Sequence, residues 1–184
     1  MKKPALIIID MQQHFFRENP LPFREKLLPN IQTVLTAARS AKIPIIHIIT
    51  RYNRQKTDWP KAWHHLNQIW CLEGTVGVHI LEEVKPLPDE IVVVKKRFSG
   101  FYDTDLNKIL RQNAIDSLLI TGYASDVCVR MTVMDAYNRG YDLYLLADCV
   151  HAARETTEQS LQYLTWLTNL KLISSSEMNT LLDD

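Results

Sequence analysis

Six short runs of mostly branched apolar residues recur along the chain, and they predict β-strands. Most of the runs are continuous rather than alternating, which is typical of strands covered on both faces in a parallel sheet. The predicted strands are Ala5–Ile9, Ile43–Ile49, Ile91–Val94, Ser117–Thr121, Tyr141–Ala147 and Lys171–Ser174. Such strands need helices packed above and below the sheet.

Segments with a helical spacing of apolar residues lie between the strands. One begins after Pro29, a residue that the first turn of a helix tolerates. Its apolar stripe consists of Ile31, Val34, Leu35 and Ala38. Further helices are predicted over Asp105–Gln112, Val127–Arg139 and Thr156–Leu167. Gly140 lies where a helix end favours positive φ, and Ser174 with Glu177 has the spacing of a capping box for a last short helix.

The repeated alternation of strand and helix predicts an α/β fold, with a parallel sheet between two layers of helices. No internal repeat and no linker divides the chain, so we expect one domain over residues 1–184. The longest irregular stretch, Arg51–Pro88, contains Trp59, Trp63 and Trp70. A connection of this length is usually functional or holds a short helix, and we expect a lid or a subunit contact there.

Composition and charge exclude several classes of protein. The chain has 184 residues, of which 46% are apolar, and 21 basic residues balance 21 acidic ones. These values are typical of an ordinary globular chain. Without an excess of positive charge, neither nucleic acid nor an anionic membrane surface is an expected partner. A neutral chain does little to keep its copies apart, so we expect a homo-oligomer.

The three cysteines, Cys71, Cys128 and Cys149, cannot all pair with one another. Such usage is typical of a reducing compartment, where each thiol is either buried or chemically used. No uncharged stretch approaches the roughly 18 apolar residues that a membrane-spanning helix needs. We therefore expect a soluble, cytoplasmic protein without a membrane partner.

Reactive side chains follow three of the predicted elements. Asp10 closes the first strand, Lys95 closes the third, and Cys128 begins the helix after the fourth. Ligands of open α/β sheets bind beyond the carboxyl ends of the strands, at the point where the strand order reverses. At a helix N-terminus a thiol meets unpaired N–H groups and the positive end of the helix dipole, and both favour the thiolate.

Each of these three residues also has an ordinary structural explanation. Cys128 could pack in the core, as free cysteines commonly do. The Asp10 carboxylate could cap the next turn by accepting N–H bonds from Gln12 or Gln13, and Lys95 could be a solvated strand end. An acid, a base and a nucleophile at one sheet edge are harder to explain in this way, because covalent catalysis uses such a set.

Motifs of several other enzyme classes are absent from the sequence. No GxxxxGK[ST] or GxGxxG supports a nucleotide site, and no GxSxG supports a serine α/β-hydrolase. The histidines His64, His65 and His79 lack the spacing to acids or thiols that a zinc site needs. We expect no metal and no cofactor.

Three segments resemble the isochorismatase-like cysteine hydrolases. The first is Ile7–Phe15, which reads IIIDMQQHF. The second is Lys95–Phe101, KKRFSGF, followed by Thr104–Leu106, and the third is Thr121–Arg130, TGYASDVCVR. The resemblance keeps the same order from residue 5 to about residue 155, so it is more specific than a single short motif.

This resemblance implies a three-layer α/β/α sandwich with a six-stranded parallel sheet, which is a Rossmann-like fold. It also implies a catalytic triad of Asp10, Lys95 and Cys128, and a non-proline cis peptide bond between Tyr123 and Ala124. The N–H groups of Ala124 and Cys128 are then implied to form an oxyanion hole for a carbonyl oxygen.

The implied activity is hydrolysis of a C–N, amide-type bond of a small molecule through a thioester. Two alternatives stay open: an isochorismatase-type hydrolase of a vinyl ether, which needs no thiol, and a non-catalytic binding member of the fold. Nicotinamidases of the family carry an Asp-x-His metal motif beyond the second strand. This chain reads TRYN over residues 50–53, which disfavours a metal-dependent nicotinamidase. The resemblance also implies a dimer or a tetramer.

Four further residues are candidates for the substrate pocket. Phe15, Trp59 and Tyr102 could form its walls, and Arg51 could receive a substrate carboxylate. Packing or surface exposure explains each of the four equally well.

Overall fold

The computed structural model describes residues 3–17 and 21–183. All of its strands lie in one parallel sheet. The strands are β1 (Pro4–Ile9), β2 (Ile45–Thr50), β3 (Ile91–Lys95), β4 (Ser117–Tyr123), β5 (Asp142–His151) and β6 (Lys171–Ile173). Their order across the sheet is β3-β2-β1-β4-β5-β6. The predicted fold class is confirmed, although β5 runs past its predicted end at Ala147.

Helices connect the strands in the order that the alternation predicts. They are α1 (Gln13–Arg17), α2 (Leu21–Ser40), α3 (Leu106–Gln112), α4 (Cys128–Asn138), α5 (Thr157–Thr168) and α6 (Met178–Asp183). The connection from β2 to β3 holds only short 3₁₀ turns, at Lys61–Trp63, Val76–Val78 and Glu82–Val84. Among the described residues, no helix combines the length and the apolar sequence that crossing a lipid bilayer requires.

Strand β1 shows how the sheet separates two cores. Ala5, Ile7 and Ile9 pack on one face with α3, α4 and α5. Leu6 and Ile8 point to the opposite face and pack with α2 and α6. All five side chains are fully buried. The result is the three-layer α/β/α sandwich.

Pro29 lies inside α2 rather than in its first turn, so the predicted start of this helix is wrong. Proline has no N–H, and an interior position therefore costs the helix one hydrogen bond. The predicted apolar stripe is nevertheless buried against the sheet, and it comprises Ile31, Val34, Leu35 and Ala38. Burial of this stripe, rather than local propensity, holds the helix together.

The ends of the later helices carry the signals that the sequence predicts. Gly140 follows α4 with a φ of 80°, a conformation that glycine adopts without steric cost. Ser174 and Glu177 form a complete capping box, which starts a 3₁₀ turn that leads into α6. These two features mark where the chain leaves α4 and where it turns into α6.

The strand order reverses between β1 and β4, and their carboxyl ends open a crevice there. Gly122, close to the end of β4, has a φ of 120°, and a Cβ at this position would lie 2.1 Å from the carbonyl oxygen of Ile9. Only glycine lets the two strands approach so closely at the edge of the crevice.

Candidate active site

Side chains from three elements meet at the crevice. Asp10 follows β1, Lys95 is the last residue of β3, and Cys128 is the first residue of α4. The Lys95 Nζ lies 2.8 Å from Asp10 Oδ2 and 3.4 Å from Cys128 Sγ. Asp10 and Lys95 are 0% and 1% exposed, whereas Cys128 is half-buried. The structure therefore places Lys95 in contact with both Asp10 and Cys128, and Lys95 is not a solvated strand end.

Asp10 does not cap the following turn with its carboxylate. The Gln12 N–H donates to the carbonyl oxygen of Asp10 at 2.8 Å, and the Gln13 N–H donates to the carbonyl of His79 at 2.8 Å. Asp10 itself has a φ of 52°, a left-handed conformation in which aspartate is enriched. Its N–H donates to the carbonyl of Ile48 at 2.8 Å, and its carboxylate pairs with Lys95 instead of bonding to the following turn.

Thr50 belongs to the same cluster, although the sequence analysis did not select it. Its hydroxyl donates to Asp10 Oδ1 at 2.9 Å and accepts from Lys95 Nζ at 2.6 Å. Strand β2 lies between β1 and β3, so its last residue sits between Asp10 and Lys95. The rule that selects residues at the carboxyl ends of strands would have found it.

Burial and charge set the protonation states of this cluster. Burial lowers the pKa of Lys95, Asp10 is the largest influence that raises it, and the net shift is upward, so the ammonium is favoured. Burial raises the pKa of the Cys128 thiol; Lys95 opposes this shift and Asp10 adds to it. The net shift is upward, which favours the thiol. The sulfur is a thiol that needs a base to become a nucleophile.

Two backbone N–H groups stand at the start of α4. The peptide bond between Tyr123 and Ala124 is cis. The Ala124 carbonyl accepts from the N–H groups of Val127 and Val129, both at 3.0 Å. Within residues 3–17 and 21–183, the N–H groups of Ala124 and Cys128 meet no hydrogen-bond acceptor. Both residues line the cavity described next, so these donors are available to a ligand.

A cavity of about 520 Å³ opens above the sulfur of Cys128. Five of its twelve lining residues are aromatic, namely Phe15, Trp63, Trp70, Phe98 and Tyr123. Trp63 packs against Trp70 and Phe98 with ring centroids 4.3 Å and 5.8 Å apart, and Phe15 faces Tyr123 at 5.4 Å. The shape and chemistry suit a small molecule with a flat or apolar part.

Of the four predicted pocket residues, only Phe15 lines this cavity. Trp59 is 4% exposed in a separate core, where its Nε1 donates to the carbonyl of Asn53 at 2.8 Å. Tyr102 is 60% exposed, and Arg51 is also at the surface. The structure does not bring these three residues to the cavity, and in the irregular connection after β2 it places Trp63 and Trp70, rather than Trp59, along its wall.

Arg154 is the arginine of the cavity. Its guanidinium forms no ion pair with any residue of the described ranges. The side chain is exposed, so it can meet an anionic group of a ligand that enters the cavity. Arg51, which the sequence analysis proposed for a substrate carboxylate, does not line the cavity.

Asp126 fixes the wall that carries Arg154. Its carboxylate accepts the N–H groups of Ala153 and Arg154 at 2.7 Å each and that of Glu155 at 3.1 Å. Burial raises the pKa of Asp126, but these N–H bonds lower it by more, and the net shift is downward. Because Asp126 lies two residues before Cys128, the wall is tied to the start of α4.

In the part of the chain that the structure describes, no three His, Cys, Asp or Glu side chains gather as a metal site would require. In the region compared with the nicotinamidase motif, residues 50–53, Thr50 bonds to Asp10 and Lys95, while the Tyr52 hydroxyl donates to the carbonyl of Lys96 at 3.1 Å. These residues do not offer the ligands of that motif.

Comparison with known proteins places the chain in a family. The model of the isochorismatase domain matches residues 4–176. The ureidoacrylate amidohydrolase RutB of Yersinia enterocolitica is 29% identical over 173 residues, which cover 81% of this chain and 75% of that protein.

Solved structures agree with this match. The N-carbamoylsarcosine amidase of Thermoplasma acidophilum is 28% identical, with a TM-score of 0.83 over 95% of this chain and 98% of that one. An isochorismatase family protein of Desulfovibrio vulgaris is 25% identical, with a TM-score of 0.88 over 99% of each chain. The chain belongs to the isochorismatase family.

Proposed function

We propose that this protein is a cysteine hydrolase that cleaves a C–N, amide-type bond of a small molecule through a thioester intermediate. The observation that carries the proposal is the contact of Cys128 Sγ with Lys95 Nζ, itself paired with Asp10, at the floor of the cavity. The amidohydrolase and amidase among the relatives, at 29% and 28% identity, support the same chemistry.

The first step is activation of the thiol. Because burial keeps Cys128 protonated, Asp10 takes the proton as the sulfur attacks the amide carbonyl. The ammonium of Lys95, 3.4 Å from the sulfur, stabilises the negative charge that develops there. Asp10, Lys95 and Cys128 act as a catalytic triad in this scheme.

The second step is collapse of the tetrahedral intermediate. The free N–H groups of Ala124 and Cys128 hold its oxyanion, and each such donor contributes about 3–4 kcal/mol by comparison with known oxyanion holes. Protonated Asp10 passes its proton to the departing ammonia or amine, and the C–N bond breaks. Water, activated by Asp10, then attacks the thioester and releases the acid together with the free thiol of Cys128.

Ammonia release from a panel of small amides and ureides tests this function. Cys128→Ala should lower turnover by at least about a thousandfold, because no other group replaces the nucleophile. Cys149→Ala is the matched control, since Cys149 is buried on β5 and contacts Asp148 rather than the cavity; its turnover should stay near that of the wild type. Undiminished activity of Cys128→Ala would contradict the proposal.

The same assay separates the two alternatives. Pyruvate release from a vinyl ether substrate, in place of ammonia from amides, would support the ether hydrolase. Alkylation of Cys128 at the same slow rate as Cys71 and Cys149, which are both buried, would support a non-catalytic binding protein.

We further propose a cytoplasmic homo-oligomer, a dimer or a tetramer, with one domain over residues 1–184. Trp166 is 77% exposed and Leu172 is 42% exposed on the outer side of α5 and β6, and an apolar surface of this kind favours association. Light scattering of the purified protein measures the mass, and a monomer would overturn the proposed assembly.

A further inference from the structure

We propose that Thr50 is a positioning residue that holds the Asp10 carboxylate and the Lys95 ammonium in their reactive orientation. The inference rests on the proposed hydrolase function, for which it names a residue that touches neither the substrate nor the attacking sulfur.

The first argument is the number of hydrogens on Lys95. An ammonium has three donors, and the three acceptors around it are Asp10 Oδ2 at 2.8 Å, Thr50 Oγ1 at 2.6 Å and Cys128 Sγ at 3.4 Å. The contact with Thr50 is the shortest of the three. The contacts with Thr50 and Cys128 are hydrogen bonds, and the contact with Asp10 Oδ2 is an ion pair without hydrogen-bond geometry. The bond to Thr50 therefore restricts the directions left to the other two hydrogens.

The second argument is the hydrogen of Thr50 itself. Because its oxygen accepts from Lys95, the hydroxyl hydrogen is directed to Asp10 Oδ1, 2.9 Å away. This bond fixes the plane of the carboxylate and leaves Oδ2 to face the ammonium. Thr50 is 2% exposed and Asp10 is 0% exposed, so bulk water cannot easily replace the hydroxyl.

The third argument is that Gln12 anchors Thr50. The Thr50 N–H donates to Gln12 Oε1, and Gln12 Nε2 donates to the Thr50 carbonyl, both at 2.8 Å. The same Nε2 also donates to the carbonyl of Val78 at 2.8 Å. Gln12 is fully buried. The backbone of Thr50 is thus held on both sides at the point where β2 ends.

Loss of the hydroxyl has a predictable effect on the pH range of activity. The Lys95 ammonium loses an acceptor, so it gives up a proton more readily. The ion pair then exists over a pH range that is reduced from the alkaline side. Other titratable groups face or neighbour this cluster and stay unchanged in such a variant, namely Tyr52, Cys71, Cys128 and His14.

The experiment compares Thr50→Val, which removes the hydroxyl at nearly constant shape, with Thr50→Ser, which keeps it. Two readouts are measured against pH: kcat/KM for amide hydrolysis, and the rate at which iodoacetamide alkylates Cys128, followed by mass spectrometry. In Thr50→Val we expect kcat/KM to fall about 10- to 100-fold, as for a lost hydrogen bond to a charged group. The alkaline limb of the kcat/KM profile should move to lower pH, the pH dependence of alkylation should also change, and Thr50→Ser should stay close to the wild type.

Thr168→Val is the matched control, because Thr168 is also a buried threonine and its hydroxyl donates to the Leu164 carbonyl at 2.8 Å in α5. It should leave both profiles unchanged. A Thr50→Val protein with reduced kcat/KM but an alkaline limb at its wild-type pH, or a Thr50→Ser protein as impaired as Thr50→Val, would overturn the inference. Thr50→Ala replaces Thr50→Val if the latter does not fold.

Failure of the hydrolase proposal gives a different result. A wild-type protein that releases no ammonia from any amide contradicts the proposed function. The pH profile of alkylation needs no substrate, so its change in Thr50→Val still decides whether Thr50 positions the charged pair.

Discussion

Strand β2 carries a buried charged cluster at each of its ends. Toward its start, His47 Nε2 lies 3.0 Å from Glu90 Oε2, and Arg39 Nε lies 2.7 Å from Glu90 Oε1. At its carboxyl end, Thr50 joins Asp10 and Lys95. Both clusters lie beside cavities of more than 500 Å³, yet their chemistry differs.

The difference lies in which atoms remain available. Glu90 also accepts the Leu87 N–H at 3.0 Å. Burial opposes its ionisation, but the bonds from Arg39, Leu87 and His47 lower the pKa of Glu90 to about 2, so it is a poor base. The other cluster adds the sulfur of Cys128, which reaches a cavity beside two free N–H groups. A buried ion pair alone does not make an active site; a reactive atom next to it does.

The largest expected difference between the clusters is in activity. Asp10→Asn should lower kcat by about 100- to 10,000-fold, which is the usual contribution of a general base. Glu90→Gln should leave kcat unchanged but lower the free energy of unfolding by about 2–4 kcal/mol, because it breaks a mostly buried pair. Ammonia release and urea unfolding measure the two effects. Loss of activity in a folded Glu90→Gln protein would contradict the prediction that only the cluster at the carboxyl end of β2 takes part in catalysis.

The next difference is in stability against acid. The pKa of Glu90 is lowered from 4.5 to about 2 in the folded state, so its contribution to stability is present above pH 4.5 and is lost as the pH falls toward 2. The loss amounts to about 3 kcal/mol. Urea unfolding at stepped pH values should show that Glu90→Gln loses less stability over this range than the wild type. Parallel curves for the two proteins would contradict the prediction.

The smallest difference concerns the two arginines. Arg39 is bound to Glu90, whereas Arg154 lines the cavity above Cys128 without an ion pair among the described residues. Arg154→Gln should raise KM about tenfold for amides that carry a carboxylate, since a charge-assisted hydrogen bond is lost. KM for neutral amides of similar size should not change. Equal effects on both classes would show that Arg154 does not select for an anion.

The sequence predicts the strands and the convergence of Asp10, Lys95 and Cys128 for one physical reason. Strands buried on both faces are continuous apolar runs, and a polar residue that ends such a run marks the edge of the sheet. The same reasoning applies to Thr50, but an uncharged hydroxyl at the end of a strand is common, so the sequence alone does not indicate that it belongs to a site. The predicted start of α2 is wrong because burial of the helix against the sheet outweighs the local effect of Pro29.

The pocket walls could not be predicted in the same way. Trp59, Trp63 and Trp70 all belong to the irregular connection after β2. This connection has no regular spacing of apolar residues that would predict which ring faces the cavity. The protonation of Cys128 also depends on burial, which acts against the helix N-terminus and the ammonium. Both properties arise from packing between segments that are distant in sequence.

The two sides of the cavity are attached to different parts of the molecule. Asp126 ties the side with Arg154 to the start of α4, while Trp63 and Trp70 pack on a small separate core around Tyr52. Substitutions on the tryptophan side should therefore change the range of accepted substrates without disturbing Asp10, Lys95 and Cys128. An engineer who wishes to redirect this protein to a new amide would begin with that side.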